Sequence, residues 1–324
     1  MVPKRHRRRP HRRRPAVSSR DGYDSPGAVM TYHSGSRAVQ DRVGVRDLAD
    51  HVGQAIGQGI RPVAAAFLEL QPLLIVGAAD PESGAVWASP LTGAPGFVRA
   101  TGPRQISVAG GVGPGDPLTP ALSAAGTPLG TIALDPRTRR RMRLNGRARP
   151  TPRGFAVEAD QVFSNCPRYL QRRESYETTD RVRGMPRRGA ELSPSQRGFI
   201  EAADTFFLAT VHAHGADVSH RGGNPGFVRV DSPGELRWHD YPGNSMFLTL
   251  GNLAVDPRAG LLFLDWESGA ALQLTGTART EFTDDGERTV RFTLTEVVET
   301  PAASPLRWSA PEYSPANPSA SAGE

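Results

Sequence analysis

The chain has 324 residues, of which 22% are charged and 38% hydrophobic, so it is long enough for two ordinary domains with packed cores. Its 35 glycines and 29 prolines favour short strands and loops over a helical bundle. A single cysteine excludes a disulfide framework, and the apolar runs are far shorter than the ~20 residues that span a bilayer. We therefore expect a soluble, cytoplasmic protein.

The net charge of +6 comes from one end of the chain. Residues 1–29 hold nine basic and two acidic side chains, so the rest of the chain is close to neutral. A nucleic-acid-binding groove is therefore not expected. We predict that residues 1–29 are a disordered basic extension. Three interpretations of it stay open: a translated upstream extension with the working start at Met30, an arm that binds polyanions, and a targeting peptide.

The chain after this extension begins with helical patterns and then becomes β-like. Apolar spacing predicts an amphipathic helix over residues 37–60 and a second helix over residues 63–70. We assign residues 30–66 to an N-terminal helical segment. Residues 73–76 are predicted to form a buried strand, and a return strand begins at Val86 after a turn.

The sequence repeats itself at a constant distance. Residues 95–99, 130–135 and 144–149 recur as residues 225–229, 260–265 and 274–279, always 130 positions later. Three matches at one offset predict two copies of one β-rich module. Each copy is expected to be a small, partly closed barrel of short strands with a leading helix, because closure removes exposed edges.

The repeat and the composition predict how the chain is divided. The expected parts are a first, degenerate barrel (67–171), an arginine-rich linker (172–196), a second barrel (197–300) and a disordered tail (301–324). In the second copy a helix begins near Ser193. Its strands are predicted over residues 205–211, 228–230, 259–264, 271–280 and 290–298.

The two copies differ at a turn where a ligand could bind. Ser219, His220, Arg221 and Gly222 of the second copy replace an apolar, proline-containing turn of the first. Glycine lets backbone N–H groups approach a ligand, and arginine offers a fork for phosphate. The alternative is an ordinary hairpin turn with solvated side chains.

They also differ in a long connection over residues 240–253. Apolar residues there recur at helical spacing and predict a short helix. Its N-terminal turn, residues 243–245, would suit an anionic phosphate. Simple capping by Asn244 is the alternative.

The second copy resembles the FMN-binding split barrel of the pyridoxamine 5′-phosphate oxidase family. The matching segments are residues 209–215, 219–223, 225–229, 241–252, 256–263 and 276–278. The whole chain is similar to a bacterial branch with tandem barrels. The resemblance implies a mainly β fold with flanking helices, built as two tandem split β-barrels. It also implies FMN in a cleft between barrels, so we expect the two copies to pair within the chain as a pseudo-dimer; a further homodimer stays open.

Carried over residue by residue, the resemblance implies a set of cofactor-binding side chains. It comprises Ser219, His220, Arg221, Gly222, Arg229, Tyr241, Asn244, Thr249 and Asn252. Two positions depart from the family pattern: Met246 lies where relatives often have a basic residue, and Thr249 lies near a lysine position of the true oxidases. The substrate-binding signature of those oxidases is not recognisable near the C-terminus, so vitamin B6 oxidation is not the expected reaction.

We expect a flavin-dependent oxidoreductase that acts on a small molecule. A non-catalytic flavin or haem carrier and a deazaflavin-dependent reductase remain alternatives. No catalytic residue and no metal site are predicted: His212 and His214 are interpreted as surface histidines and Cys166 as a structural or interface thiol. The arginine-rich stretch 137–153 is interpreted as a solvated or interface face. Only the second copy keeps the phosphate-side residues, so we expect one occupied cleft per chain.

Overall fold

The structure is a computed structural model that describes residues 32–283 and 286–318. The predicted basic extension lies outside these residues. The described chain begins with three helices: α1 (Ser34–Val43), α2 (Arg46–Gly53) and α3 (Pro62–Glu69). The single helix predicted over residues 37–60 is wrong, because Gly44 adopts a left-handed conformation (φ 71°) and ends α1.

The first barrel is one antiparallel sheet of seven strands. Its strand order is β2-β1-β5-β6-β7-β4-β3. A short helix, α4 (Thr119–Ser123), precedes the fifth strand. In chain order the strands are β1 (Leu73–Ala79), β2 (Val86–Thr92), β3 (Val98–Gly102), β4 (Gln105–Ala109), β5 (Thr127–Asp135), β6 (Arg140–Thr151) and β7 (Gly154–Ser164).

The segment between the barrels carries three short strands, and the second barrel follows. The short strands are β8 (Arg172–Arg173), β9 (Tyr176–Thr178) and β10 (Arg187–Gly189). The second barrel contains α5 (Pro194–Ala202), β11 (Thr205–His212), β12 (Gly215–Gly222), β13 (Val228–Ser232), β14 (Glu235–His239), α6 (Leu248–Val255), β15 (Arg258–Leu264), β16 (Ala271–Phe282) and β17 (Arg288–Thr300).

The second sheet has the strand order β12-β11-β15-β16-β17-β14-β13, the same order as the first, and β10 pairs with β17 at its margin. The fold is thus mainly β with flanking helices and consists of two tandem split barrels, which confirms the predicted fold class. In each sheet a bulge bends the longest pair of strands, at Gly146 and at Gly276. Glycine is needed at both, because a Cβ would lie 1.9 Å from Glu158 O and 2.0 Å from Thr293 O.

The two barrels share a buried layer between their sheets. Ile75 and Ile132 of the first sheet pack in one cluster with Phe207 and Leu262 of the second, and all four are fully buried. The backbones approach closely there, because a Cβ on Gly130 would lie 2.6 Å from the backbone of Asp217. This layer brings β6 of the first barrel close to β12 of the second, which matters for the site.

The prediction of a disordered tail is wrong for residues 301–318. There β18 (Leu306–Trp308) pairs with β9, and β19 (Pro311–Glu312) pairs with β8. The predicted linker is therefore also an ordered part of the fold. The reason is apolar burial: Leu306 and Trp308 join Trp266 in the layer between the barrels. None of the helices within the described ranges is long and apolar enough to cross a membrane.

Candidate functional site

A small cavity lies where the second barrel faces β6 of the first. Its volume is about 100 Å³, and it is lined by strand, loop and helix residues of both barrels. The first barrel contributes Arg141 and Arg143 from β6, and the segment that follows β7 contributes Asn165, Cys166, Arg168 and Tyr169. The second barrel contributes, among others, His220, Arg221, Gly222, Asp240, Tyr241, Asn244 and Thr249.

Six of the nine predicted cofactor-binding residues therefore line one cavity. The structure does not place the other three there. The Ser219 hydroxyl donates to Leu208 O (3.4 Å) inside its own sheet, and Arg229 is exposed on β13. Asn252 is occupied elsewhere: its Nδ2 donates to Thr210 Oγ1 (2.9 Å). A cofactor-binding role for the six remains a prediction.

Arg141 has no carboxylate partner. Its Nη1 lies 2.6 Å from His220 Nδ1, its Nη2 donates to Cys166 O (2.8 Å), and its Nε has no hydrogen-bond partner. Burial, together with the nearby charges of Arg143 and Arg221, lowers the pKa of Arg141 to about 9. A buried cation in this state is stabilised by any anion that reaches it.

His220 is a neutral imidazole with one N–H group that has no hydrogen-bond partner. Burial and the neighbouring arginines, Arg141 first, lower its pKa well below the ordinary value. Since a guanidinium only donates, His220 Nδ1 accepts from Arg141, so the neutral ring carries its proton on Nε2. That Nε2 is buried without a partner. The pair therefore offers two unsatisfied N–H groups.

Arg143 forms a buried ion pair that joins the two barrels. Its Nη1 lies 2.9 Å from Asp217 Oδ2. The same carboxylate accepts from Asn145 Nδ2 (3.0 Å) and from the Thr249 hydroxyl (3.1 Å). Thr249 thus lines the cavity, but its hydroxyl is used to hold Asp217. This network fixes β6, β12 and α6 relative to one another.

The cavity has an excess of positive charge. Arg221 pairs with Asp240 (3.1 Å), and Arg143 pairs with Asp217. Four arginines line the cavity (Arg141, Arg143, Arg168 and Arg221), so with those two aspartates the formal balance is plus two. Within the described residues no group of three or more His, Cys, Asp or Glu side chains is placed to hold a metal ion.

Two segments meet over the cavity and carry strained backbone. Tyr169, Ser245 and Phe247 all line it and have left-handed φ values of 61°, 60° and 52°. The Tyr169 hydroxyl donates to Pro242 O (3.1 Å), and the rings of Tyr169 and Tyr241 lie 5.2 Å apart. The segments therefore touch through one hydrogen bond and one ring pair.

Two sequence predictions about these segments need correction. Residues 243–245 are not the first turn of a helix, since α6 begins at Leu248 after Phe247. Gly222 makes room for the protein rather than for a ligand, because a Cβ there would lie 2.0 Å from Tyr169 O.

Sequence reasoning missed the contribution of the first barrel. Arg141 and Arg143 lie two positions apart, so they share one face of β6. The equivalent strand β16 has Ala271 and Gln273 instead. That difference between the copies was the signal that could have found them. Asp217 and Asp240 gave no comparable signal, because their roles depend on partners far away in the sequence.

The fold and the site together define a split-barrel protein with a cationic cleft between its two barrels. Residues 192–309 match the family model of pyridoxamine 5′-phosphate oxidase. The second barrel is therefore similar to the pyridoxamine 5′-phosphate oxidase family over these residues. The matched residues extend from the start of the second barrel into the C-terminal segment and leave the first barrel outside.

The similar solved structures each cover about a third of this chain. An FAD-binding protein from Mesorhizobium loti is 11% identical, with 36% of this chain and 98% of that one covered and a TM-score of 0.27. HupZ of Group A Streptococcus is 12% identical, with 33% and 98% covered and a TM-score of 0.28. A Clostridium acetobutylicum protein related to general stress protein 26 is 15% identical, with 31% and 81% covered and a TM-score of 0.25. These likenesses are too weak to carry an activity across, and no curated protein matches the sequence.

Proposed function

We propose that the chain binds FMN in the cleft between its barrels, with the phosphate beside Arg141 and His220. One observation carries the proposal. Arg141 Nε and His220 Nε2 are buried donors without partners, in a cavity whose arginines exceed their carboxylates by two charges. A phosphate monoester dianion supplies both the missing acceptors and the missing charge.

The size of the cavity limits what it holds. At about 100 Å³ it accommodates a phosphate but not a flavin ring, since pockets for ligands of that size are roughly 300–1,000 Å³. The ring would therefore have to lie outside the present cavity, and Tyr169 and Tyr241 are the aromatic side chains among the lining residues that could contact it.

A bound flavin would supply hydride or electron transfer, and we propose an oxidoreductase activity on a small molecule. The residues of this chain hold the phosphate, keep water from it and bring the two barrels together around it. No side chain is assigned as a general acid or base. We further propose that the barrels are two copies of one repeat, paired as a pseudo-dimer, and that the protein works in the cytoplasm.

The single cysteine provides a direct test of this site. Cys166 is exposed at the rim of the cavity, and no other cysteine exists in the chain. We expect FMN to slow the reaction of Cys166 with a thiol reagent, and riboflavin, which lacks the phosphate, to do so only at concentrations at least tenfold higher. Equal protection by both compounds would refute the phosphate site, and absence of protection by either would refute flavin binding there.

The absorption spectrum of the purified protein separates the alternatives. Flavin absorption bands would support FMN. A deazaflavin band would mean that deazaflavin replaces FMN in the same site, and a Soret band would indicate haem. His220 would not be the iron ligand of a bound haem, because its Nδ1 accepts from Arg141 and its Nε2 then carries the proton.

A further inference from the structure

The matched strand order gives the molecule a second cleft with different contents. At the equivalent level of the two sheets, β2 has Pro90 where β12 has His220, and β16 has Gln273 where β6 has Arg143. The strands of the second cleft therefore lack the cations that line the first.

A buried carboxylate occupies the second cleft instead. Gln273 Nε2 donates to Ser89 Oγ (2.8 Å), and the Ser89 hydroxyl donates to Asp116 Oδ1 (2.6 Å). Asp116 is 3% exposed, and burial raises its pKa. Asp116 lies in the connection between β4 and α4, the counterpart of the connection between β14 and α6 in the other barrel.

Arg183, in the segment that connects the barrels, lies next to the Asp116 carboxylate. Arg183 Nη2 lies 3.7 Å from Asp116 Oδ2, and its Nη1 donates to Ala303 O (3.1 Å). The side chain packs so closely on Gly113 that a Cβ there would lie 2.4 Å from Arg183 Cζ. Ala303 follows β17 as Cys166 follows β7, and Gly113 lies between β4 and α4. Arg183 therefore contacts the segment after the last strand of the barrel and the connection before the helix, and the equivalents of both segments line the first cleft.

The connecting segment is held on both sides of Arg183 by other contacts: the Thr179 hydroxyl donates to Pro305 O (2.8 Å), and β10 pairs with β17. Val182 and Met185, on either side, are 88% and 81% exposed, so their apolar side chains are not buried. The Gly184 N–H donates to Pro301 O (2.8 Å), beside the Arg183 contacts. Near Val182 and Met185, the Arg183 guanidinium and the backbone next to it therefore add to these contacts.

We propose that the second cleft is a guanidinium-binding site whose built-in occupant is Arg183. Asp116, the Ala303 carbonyl and the close wall at Gly113 form a slot around the guanidinium, in which Nη1 is hydrogen-bonded and Nη2 is held by the charge of Asp116. Because Arg183 occupies this cleft, we expect the first of these two clefts to be the one that takes a ligand. The inference does not depend on which cofactor the first cleft binds.

Chemical rescue tests the proposal on the full-length protein. We expect Arg183→Ala to lower the thermal unfolding midpoint, and millimolar ethylguanidinium to restore it by filling the emptied slot. Ethylammonium, which has the same charge but a different shape, should not restore it. The matched control is Arg188→Ala, which removes an exposed arginine of the same segment that pairs with Glu296. It should change the midpoint little and gain nothing from either cation.

Two further variants keep the test decisive if Arg183→Ala does not fold. Arg183→Lys preserves the charge, and we expect a folded protein with a lower midpoint than the wild type. Asp116→Asn removes the carboxylate from the slot. The double variant Asp116→Asn/Arg183→Lys should therefore lower the unfolding midpoint by less than the sum of the two single changes. The proposal is overturned if ethylguanidinium and ethylammonium act alike, or if Arg183→Lys is as stable as the wild type.

Discussion

Arg141 shows how a site can be built by a residue whose own sequence neighbourhood has no functional motif. Its alternation with Arg143 predicts a shared strand face, but the sequence does not say that His220 of the other barrel lies opposite. The turn at residues 219–222 was predictable because it differs between copies. The contacts across the barrels were not, because they depend on how two complete sheets pack.

The first prediction concerns the proposed contact of Arg141 with a phosphate. Arg141→Ala should weaken FMN binding roughly ten- to a hundredfold, since a charge-assisted hydrogen bond contributes about 1.5–3 kcal/mol. Fluorescence titration measures the affinity. Arg140→Ala is the control, because Arg140 is the exposed neighbour on the opposite face of β6. Equal losses in both variants would mean that general surface charge, not Arg141, attracts the nucleotide.

The second prediction concerns the buried imidazole of His220. Its pKa is lowered by burial, so near and below pH 6.5 the unfolded chain binds a proton that the folded chain does not. The free energy of unfolding should therefore fall as the pH drops through this window, by up to about 1.4 kcal/mol per pH unit for this group.

Urea unfolding between pH 5 and 8 measures this dependence. His220→Asn should flatten it in part. A residual slope is expected from His212, whose pKa is lowered to about 4, mainly by burial. A variant with the same slope as the wild type would contradict the buried, neutral state of His220.

At the scale of elements, helix α1 supports the loop that lines the cavity. Gln40, fully buried on α1, donates from Nε2 to Met246 O (2.9 Å), next to the strained residue Phe247. The helix lies against α6 at a contact of two glycines. The sequence predicted one helix over residues 37–60, where the structure has α1 and α2, and a short helix within residues 240–253, where α6 begins at Leu248. It did not predict the contact of α1 with α6, because the sequence does not distinguish a glycine at a close approach from a glycine at a turn.

The third prediction tests this helix contact. Gly35→Ala should lower the free energy of unfolding, because its Cβ would lie 2.2 Å from Gly251 O. It should also weaken FMN binding, since α1 holds Met246 in place. The control is Gly198→Ala on α5, where a Cβ has open space, so stability should rise by about 0.5–1 kcal/mol. Similar effects of the two changes would argue against a tight α1–α6 contact.

The fourth prediction concerns the C-terminal segment. Its Pro, Ser and Ala content predicted a disordered tail, and that composition concealed two apolar anchors. Trp308 packs edge-on against Trp266 with ring centroids 5.8 Å apart. Trp308→Ala should lower the free energy of unfolding by about 3–5 kcal/mol, whereas Tyr313→Ala, at a side chain that is 45% exposed, should cost far less. Denaturant unfolding compares them, and a negligible effect of Trp308→Ala would restore the disordered-tail interpretation.

At the scale of the whole molecule, the constant offset of 130 residues in the sequence has a structural counterpart in two sheets with one strand order. The mainly β fold and the tandem barrels followed from that pattern and from the family resemblance. What the sequence could not supply is the ordered connecting segment, because its short strands pair with residues more than a hundred positions away. The same segment makes the two clefts unequal.

The central claim is that one chain offers one cationic cleft for FMN, and calorimetric titration of the flavin-free protein tests it most directly. We expect one FMN per chain. Arg221→Ala, which removes a cation of the first cleft, should weaken binding, and Leu91→Ala, at the equivalent position of the second cleft, should leave it unchanged. Two FMN per chain, equal sensitivity to both substitutions, or no binding at all would contradict the claim.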